Sequence, residues 1–503
     1  MPYEGGRVLW IWLLAGSAAT ALYGLTMAPD ILWGDSGEAQ LRVLTDSIRG
    51  NRSLARSHCT YYAMAVAIRT VFNMEAARAA NLTAALAGAV TIANFAALLA
   101  RILTTRAAVI AGTVALMCSH TLWQMSTGAE VVTFYTMFLT AELLAMLCFC
   151  QSGRGMWIAI AALMNGLALS THNFAMLLWP AYGVAIALIL RKRALSMHWL
   201  WIAIVAWGVG ASPLIVLSAA EYGQVGSAGE VLQSLLFGRF QSEVLGVSAS
   251  VRSIAQLAAM AVYNVPTPVL LAAPIGLVAS RASLPRPYWY FVTCSGVILL
   301  VFAARYNVAD QYTFMVPFYI VMALFIALGI DRVLRARPSR LIAVTAVVLA
   351  ALSPIVYAAT PALVRRFVPS VLPASAGRVP YRDPYDWFFQ PWRRGYDGAN
   401  RFAVETLNVL PPNAFLFVLD TMRPPLDYVQ GRDARRPDVY LSYSPFDWPG
   451  RERREITREN TKAMVNAQVL HVGAPVKGYV PDWLLSREYR FIQVGPVFRV
   501  AHW

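Results

Sequence analysis

Charge is what this sequence has least of. Lys, Arg, Asp and Glu make up 14% of its 503 residues, and 58% are hydrophobic. Soluble globular domains carry about 25% charged residues, so an ordinary cytosolic fold is excluded. Cysteine is scarce too. Cys59, Cys118, Cys148, Cys150 and Cys294 all lie in or beside apolar stretches, so neither a zinc spacing nor a disulfide framework follows from them. There is no Walker loop, no dinucleotide fingerprint and no HExxH, which leaves a nucleotide-driven pump or a zinc protease without support. Internal repeats and low-complexity tracts are missing as well.

The charge that is present is unevenly spread. Residues 1–358 hold 35 charged side chains, whereas the much shorter segment 359–503 holds 34. The chain therefore reads as a membrane domain over 1–358 followed by a soluble domain over 359–503. The net charge of +15 invites a nucleic-acid reading. Most of the Arg in the first unit sits between apolar runs, however, which is the pattern of membrane topology, so the partner is the lipid bilayer and not nucleic acid.

Apolar runs of about bilayer-spanning length occur at 8–27, 79–100, 105–123, 129–150, 155–171, 174–190, 198–217, 258–280, 288–304, 312–330 and 341–358. The first reads as an uncleaved helix, and the shorter run at 58–74 as a helix lying at the interface. With the N-terminus in the cytoplasm, the inside segments hold thirteen Arg and Lys residues, and the short outside loops at 119–128, 171–174 and 303–311 hold only Arg305. The positive-inside rule supports this registration. It predicts an integral plasma- or inner-membrane protein of about eleven transmembrane helices, with 359–503 outside the cytoplasm.

Two outside segments are long. The first outer loop, 28–78, has helix-like stretches at 36–49 and 58–74 around Asn51-Arg52-Ser53. The second, 218–257, is rich in Gly and Ser and carries Glu221, Glu230, Arg239, Glu243 and Arg252; it fits a loop over a site or a plain linker. The tail starts Pro- and Arg-rich at 361–396. It continues with a helix-like 399–409, a strand-like Phe415–Leu419 and apolar runs at 465–472 and 490–500, suggesting a small α/β or α+β domain.

This registration puts the chemically capable residues on one side. In Trp33-Gly34-Asp35-Ser36-Gly37-Glu38, Asp35 and Glu38 would share a helix face. A carboxylate there suits a general base for an acceptor hydroxyl, and the same residues would equally form a capping box. His58 and Tyr62 lie four apart on a helix and would line a pocket or anchor it at the headgroups. Glu130 ends one span and His172 turns between two others, each as a pocket residue or a residue suited to its local geometry. Glu142 is mid-span and must find a partner on a neighbouring helix. Arg305 suits a phosphate, which a guanidinium grips bidentately, with Arg239 as the second choice. Asp310 would orient Arg305 or neutralise it.

In order along the chain, these segments resemble a known family. Trp33–Glu38, His58-Cys59-Thr60-Tyr61-Tyr62, Ala129-Glu130-Val131, Thr171-His172-Asn173 with Pro180, and Asp310 before Phe314-Met315-Val316-Pro317 are similar to segments of the membrane protein O-mannosyltransferase-like proteins. Leu410-Pro411-Pro412-Asn413-Ala414 and Arg436-Pro437-Asp438-Val439 are similar to that family's C-terminal signatures. The family belongs to the GT-C glycosyltransferases. The resemblance implies a polytopic all-α GT-C fold, a polyprenyl-phosphate sugar donor, an active site at the extracytoplasmic face, Asp35 as base and two juxtamembrane helices in the first outer loop. The chain departs from the family where a His-Pro-Pro-Gly-Tyr-Pro run is usual: only His58 and Tyr62 match.

The expected activity is transfer of a sugar, mannose by the resemblance, to a protein Ser/Thr hydroxyl with inversion; a glycolipid or cell-wall glycan is the alternative acceptor. Asp35 and Glu38 are the expected catalytic residues. His58, Tyr62, Glu130, His172, Arg239, Arg305 and Asp310 are expected to bind substrate. No metal ligands are assigned, and nothing in the sequence supports a divalent metal cofactor. A transporter of lipid-linked sugars would need ionisable residues along a transmembrane path, where only Glu142 is deeply placed. A catalytically dead binding protein, with the tail as its working part, is the third reading.

Overall fold

The structure is a computed structural model that describes residues 5–50, 53–246, 251–306, 308, 310–372, 379–418, 421–442, 456–477 and 479–503. Asn51, Arg52 and Leu419, and the side chain of Arg252, lie outside the described residues.

Among those residues, seven helices are long and apolar enough to cross a membrane: Gly6–Thr26, Ala76–Ile102, Val131–Ser152, Asn173–Arg191, Met197–Val225, Arg286–Arg305 and Gln311–Ala336. Two broken helices, Ser253–Asn264 with Pro268–Ser283 and Arg340–Ala351 with Ser353–Phe367, bend by 113° and 45°. Two further apolar helices, Arg106–Met117 and Met156–Thr171, are shorter. Each of these elements falls on one of the eleven apolar runs. Local chemistry sets their ends. Glu75 accepts from the backbone N–H of Arg78 to cap Ala76–Ile102, and Gly153 adopts a left-handed conformation to stop Val131–Ser152.

The 12 residues of Arg106–Met117 rise roughly 18 Å, less than the ~30 Å hydrocarbon core. That helix nevertheless makes a full return journey, because the chain before Ala76 and the chain after Met117 meet at one end of the molecule. There Ala28 N–H donates to the Thr127 carbonyl at 2.8 Å. At the other end, buried Asp331 starts the short helix from outside it, accepting from the backbone N–H groups of Thr104 and Thr105 at 3.1 and 2.9 Å. Arg335 lies 2.8 Å from the same carboxylate.

Close helix packing is set by small residues. A Cβ on Gly166 would meet the Trp207 carbonyl oxygen at 2.3 Å, and one on Gly210 would meet that of Leu163 at 2.4 Å. Met156–Thr171 and Met197–Val225 therefore touch backbone to backbone.

The tail forms a five-stranded sheet: β1 (Phe415–Phe417), β2 (Tyr440–Leu441), β3 (Leu470–Val472), β4 (Tyr489–Val494) and β5 (Val497–His502). Its order is β2-β1-β3-β5-β4. β1 is parallel to β2 and β3, and β5 is antiparallel to β3 and β4. The tail is no separate module. Ile31, Trp33, Leu41 and Tyr61 of the first outer loop share a hydrophobic core with Phe402, Leu416 and Tyr428 of the tail. A Cβ on Gly37 would sit 2.4 Å from the Leu32 carbonyl oxygen and 3.0 Å from the Cβ of Pro424. Tyr428 OH accepts from Ala77 N–H at 2.8 Å. The tail and the first outer loop are thus on one side, whereas the helices long and apolar enough to cross number seven, or nine if each bent pair is one span.

Candidate active site

Where the helix ends, the first outer loop and the tail converge, they enclose a cavity of about 950 Å³. Of the nine residues expected from the sequence, eight line it: Asp35, Glu38, His58, Tyr62, Glu130, His172, Arg239 and Asp310. Arg305 does not. At the C-terminal end of its helix, its guanidinium turns to the Val244 carbonyl, and no ion pair joins it to Asp310 among the described residues. A cation at a helix C-terminus is well satisfied by carbonyls, so the lone base of the short outer loops is held by protein.

Asp35 sits in the first turn of helix Gly34–Leu44, whose N-cap is Trp33 with no side-chain capping bond. The capping-box alternative therefore falls away. The Asp35 side chain is 72% exposed, and Arg56 Nη2 lies 3.4 Å from it and 3.9 Å from Glu38. Ser36, next along, donates to Glu130 Oε1 at 2.6 Å. Burial pushes the Glu130 carboxyl up to about 8, with Asp35 and Asp310 acting in the same direction and Ser36 opposing. Asp310 is also pushed up, by burial first and by Asp35 second.

The two histidines form a stacked pair, ring centroids 5.4 Å apart. His58, itself in a left-handed conformation with φ 45°, places Nδ1 2.7 Å from the Thr171 carbonyl oxygen. A carbonyl only accepts, so Nδ1 carries the proton and Nε2 is left as acceptor. His172 Nδ1 accepts from Phe174 N–H at 3.2 Å, which makes its Nε2 the donor. Burial drives both below the usual imidazole range, His172 to about 4, and His58 is lowered further by His172, Arg42 and Arg56 against the Thr171 carbonyl, which raises it. Both rings are thus neutral at neutral pH, and they are complementary as donor and acceptor.

Five arginines line the cavity alongside five carboxylates; the sequence reading passed over Arg42, Arg56, Arg382 and Arg393. Arg42 is structural. It donates to the carbonyls of Ser47, Ile48, Arg56 and Ser57 at 2.7–3.1 Å and stacks 3.5 Å over the Tyr62 ring. Arg393 is buried and donates to the carbonyls of Trp387, Gln390 and Trp392 at 2.7–2.9 Å. Burial brings it down to about 10. Arg239 comes from the second outer loop, which docks on the site: Asn173 Nδ2 donates to the Leu235 carbonyl at 2.7 Å. Among the described residues Arg239 makes no ion pair, and its guanidinium lies 5.1 Å from the Phe240 ring centroid. Glu243, another residue of the cavity wall, is near enough for its carboxylate, lowered first by the Ser242 hydroxyl, to be lowered further by that charge. No count singled these arginines out, because the first outer loop holds six: Arg42, Arg49, Arg52, Arg56, Arg69 and Arg78. Among the described residues no three His, Cys, Asp or Glu side chains are grouped to hold a metal ion.

The chain is similar to ArnT from Cupriavidus metallidurans in the apo state, with a TM-score of 0.60 and 15% identity over 99% of this chain and 98% of that one. It is also similar to ArnT from the same organism bound to undecaprenyl phosphate, with a TM-score of 0.57 and 15% identity over 97% of each chain. No protein-family profile and no curated protein matches it. The likeness establishes the fold, an ArnT-like GT-C membrane domain with a small C-terminal sheet domain.

Proposed function

We propose that the protein is a membrane glycosyltransferase that moves a sugar from a polyprenyl-phosphate donor to a hydroxyl acceptor. The observation that carries this reading is one cavity lined by an accessible carboxylate, Asp35, and by a guanidinium, Arg239, that makes no ion pair among the described residues. Asp35 takes the acceptor proton as the hydroxyl oxygen attacks the anomeric carbon. The bond from that carbon to the phosphate oxygen breaks on the opposite face, so configuration inverts. Arg239 takes up the charge that grows on the leaving polyprenyl phosphate. His58 and His172 offer the sugar hydroxyls one acceptor and one donor. The undecaprenyl phosphate bound to ArnT supports the donor class. Mannose and a protein Ser/Thr acceptor rest on the O-mannosyltransferase-like motifs.

Steady-state kinetics with varied donor test the phosphate assignment. Arg239→Ala is expected to raise the donor KM at least tenfold and lower turnover. Arg305→Ala, which removes a carbonyl partner, is expected to leave donor KM within about twofold. The reverse order would return the phosphate to Arg305.

The charge pattern supports an extracytoplasmic site and tail. A reporter active only outside the cytoplasm, fused after Trp503, is expected to be active, and a cytoplasm-only reporter there is expected to be silent. The opposite pattern would invert the topology.

Glu130 gives a pH dependence. A glutamate in the unfolded chain ionises near 4.3, and Glu130 in the folded chain near 8. Over that interval the folded chain holds the extra proton, so stability falls as pH rises. The neutral histidines act oppositely, but only below their ordinary value of 6.5. Between pH 6.5 and 8 the unfolding free energy is therefore expected to decline in the wild type, and to decline less in Glu130→Gln, as read from chemical unfolding in detergent at several pH values.

A further inference from the structure

Asp35 does little to hold itself in place. Its side chain is mostly exposed, and its ion pair to Arg56 spans 3.4 Å. A base that must meet an acceptor proton needs a fixed direction, because a misplacement of about 1 Å can cost about 10²-fold in rate. That direction is set by the residues on either side of it. Trp33, two residues before, is buried. Its indole N–H donates to the hydroxyl of Tyr396 in the tail, and its ring centroid lies 5.2 Å from that of Phe402. The Tyr396 hydroxyl donates in turn to the Tyr381 carbonyl at 3.3 Å, and its ring centroid lies 5.2 Å from that of Trp387. Trp33 lines the cavity, and Tyr396 stands behind it, outside the lining. The shared apolar core fixes how closely the tail and the first outer loop sit. A hydrogen bond to the indole edge also fixes the rotation of the ring, because its strength depends on angle.

Gly34, directly before Asp35, has φ 60°, a left-handed conformation that glycine takes without strain. A Cβ there would have nothing within 4 Å, so conformation and not space asks for glycine. Its backbone N–H is one of the orphan donors of a helix start. Trp33 offers no side-chain cap, and this N–H donates instead to the Thr421 carbonyl of the tail at 3.1 Å. The turn's own closing bond, from Gly37 N–H to the Trp33 carbonyl, is long at 3.4 Å. On the far side of Asp35, Ser36 is tied to Glu130 and Gly37 packs on Pro424. At Trp33, Gly34 and Gly37 the partner comes from the tail.

We propose that Tyr396 is a positioning residue for the base: by holding the Trp33 indole it fixes the turn that aims Asp35. The tail thereby takes part in catalysis without touching the reacting atoms. This rests on the glycosyltransferase reading above, in which Asp35 is the base.

Tyr396→Phe removes one oxygen atom and keeps the ring. In full-length protein in liposomes, with a polyprenyl-phosphate sugar as donor, it is expected to lower kcat at least tenfold and to leave donor KM within about twofold. Trp33→Phe and the double variant complete a cycle. The double variant is expected to lose no more than about twofold in kcat beyond Trp33→Phe alone, because both changes break the same bond. Losses that multiply would mean that Tyr396 acts by another route. An unchanged kcat, or a donor KM that rises while kcat is kept, would mean that the hydroxyl has no hold on the base. Each of these results overturns the proposal. Wild type that transfers no sugar overturns the glycosyltransferase reading instead, and the hold of Tyr396 on the turn is then read by backbone hydrogen exchange in detergent. Amides of residues 34–37 are expected to exchange at least tenfold faster in Tyr396→Phe than in wild type, while those of helix Ala76–Ile102 keep their rates. Equal exchange at 34–37 in the two proteins, or faster exchange throughout, overturns the proposal.

Discussion

Asp35→Asn is expected to lower sugar transfer at least 100-fold while the protein stays folded and donor binding persists. A positioned general base contributes about 10²- to 10⁴-fold, and an amide has no useful basicity. The stability side is small, because Asp35 caps no helix. Its one ion pair among the described residues, at 3.4 Å to Arg56 with the carboxylate 72% exposed, contributes under about 1 kcal/mol. Near-wild-type transfer by the purified variant would remove Asp35 as base and turn attention to Glu38, which shares the Arg56 partner at 3.9 Å.

The second large effect is structural. Arg393 is 6% exposed and is the peg on which residues 387–393 hang. Its guanidinium serves three carbonyls and lies 4.2 Å over the Trp387 ring. Its own N–H donates to the Thr26 carbonyl at the end of the first span, at 2.8 Å. The same segment is tied to the helix ends through Thr127 Oγ1, which donates to the Pro391 carbonyl at 2.7 Å. Arg393→Met keeps the stem and removes the donors, leaving buried carbonyls unsatisfied at about 1–3 kcal/mol each. A total loss of about 3–5 kcal/mol, the scale for breaking a buried polar cluster, is expected in unfolding measurements in detergent. Activity is expected to fall with it, since Trp387 on this segment and Arg393 itself wall the cavity. A loss under about 1 kcal/mol would mean the segment is held by other bonds.

The membrane part was legible because its driving signal is local. An apolar run marks its own helix, and even the short Arg106–Met117 was recoverable from the Arg count of the loops that follow it. Glu142 was legible for the same reason: a mid-span carboxylate needs partners, and Asn165 and Tyr182 supply them from two other helices. The side-of-membrane argument then brought Asp35, Glu130, His172 and Asp310 together without any knowledge of packing. What it could not give was contact across long sequence separation. Arg393 lies more than 350 residues from Asp35 in the chain, and the division into two units hid that the tail closes the cavity and shares a core with the first outer loop. Arg305 failed for a related reason. Loop membership fixes a residue's depth and not its direction, and a carbonyl from the second outer loop claimed its guanidinium. The capping box failed on a shift of register, with Trp33 at the N-cap.

The central claim is transfer from a lipid-linked donor, and the most direct measurement follows both the sugar and the lipid. Purified protein is placed in liposomes with a radiolabelled polyprenyl-phosphate sugar and a hydroxyl acceptor. The label is expected to move to the acceptor with inverted anomeric configuration, in step with release of free polyprenyl phosphate, and Asp35→Asn is expected to stop both. Intact donor that crosses the bilayer without losing its sugar would identify a transporter, and intact donor that merely stays bound would identify a binding protein; either result contradicts the account.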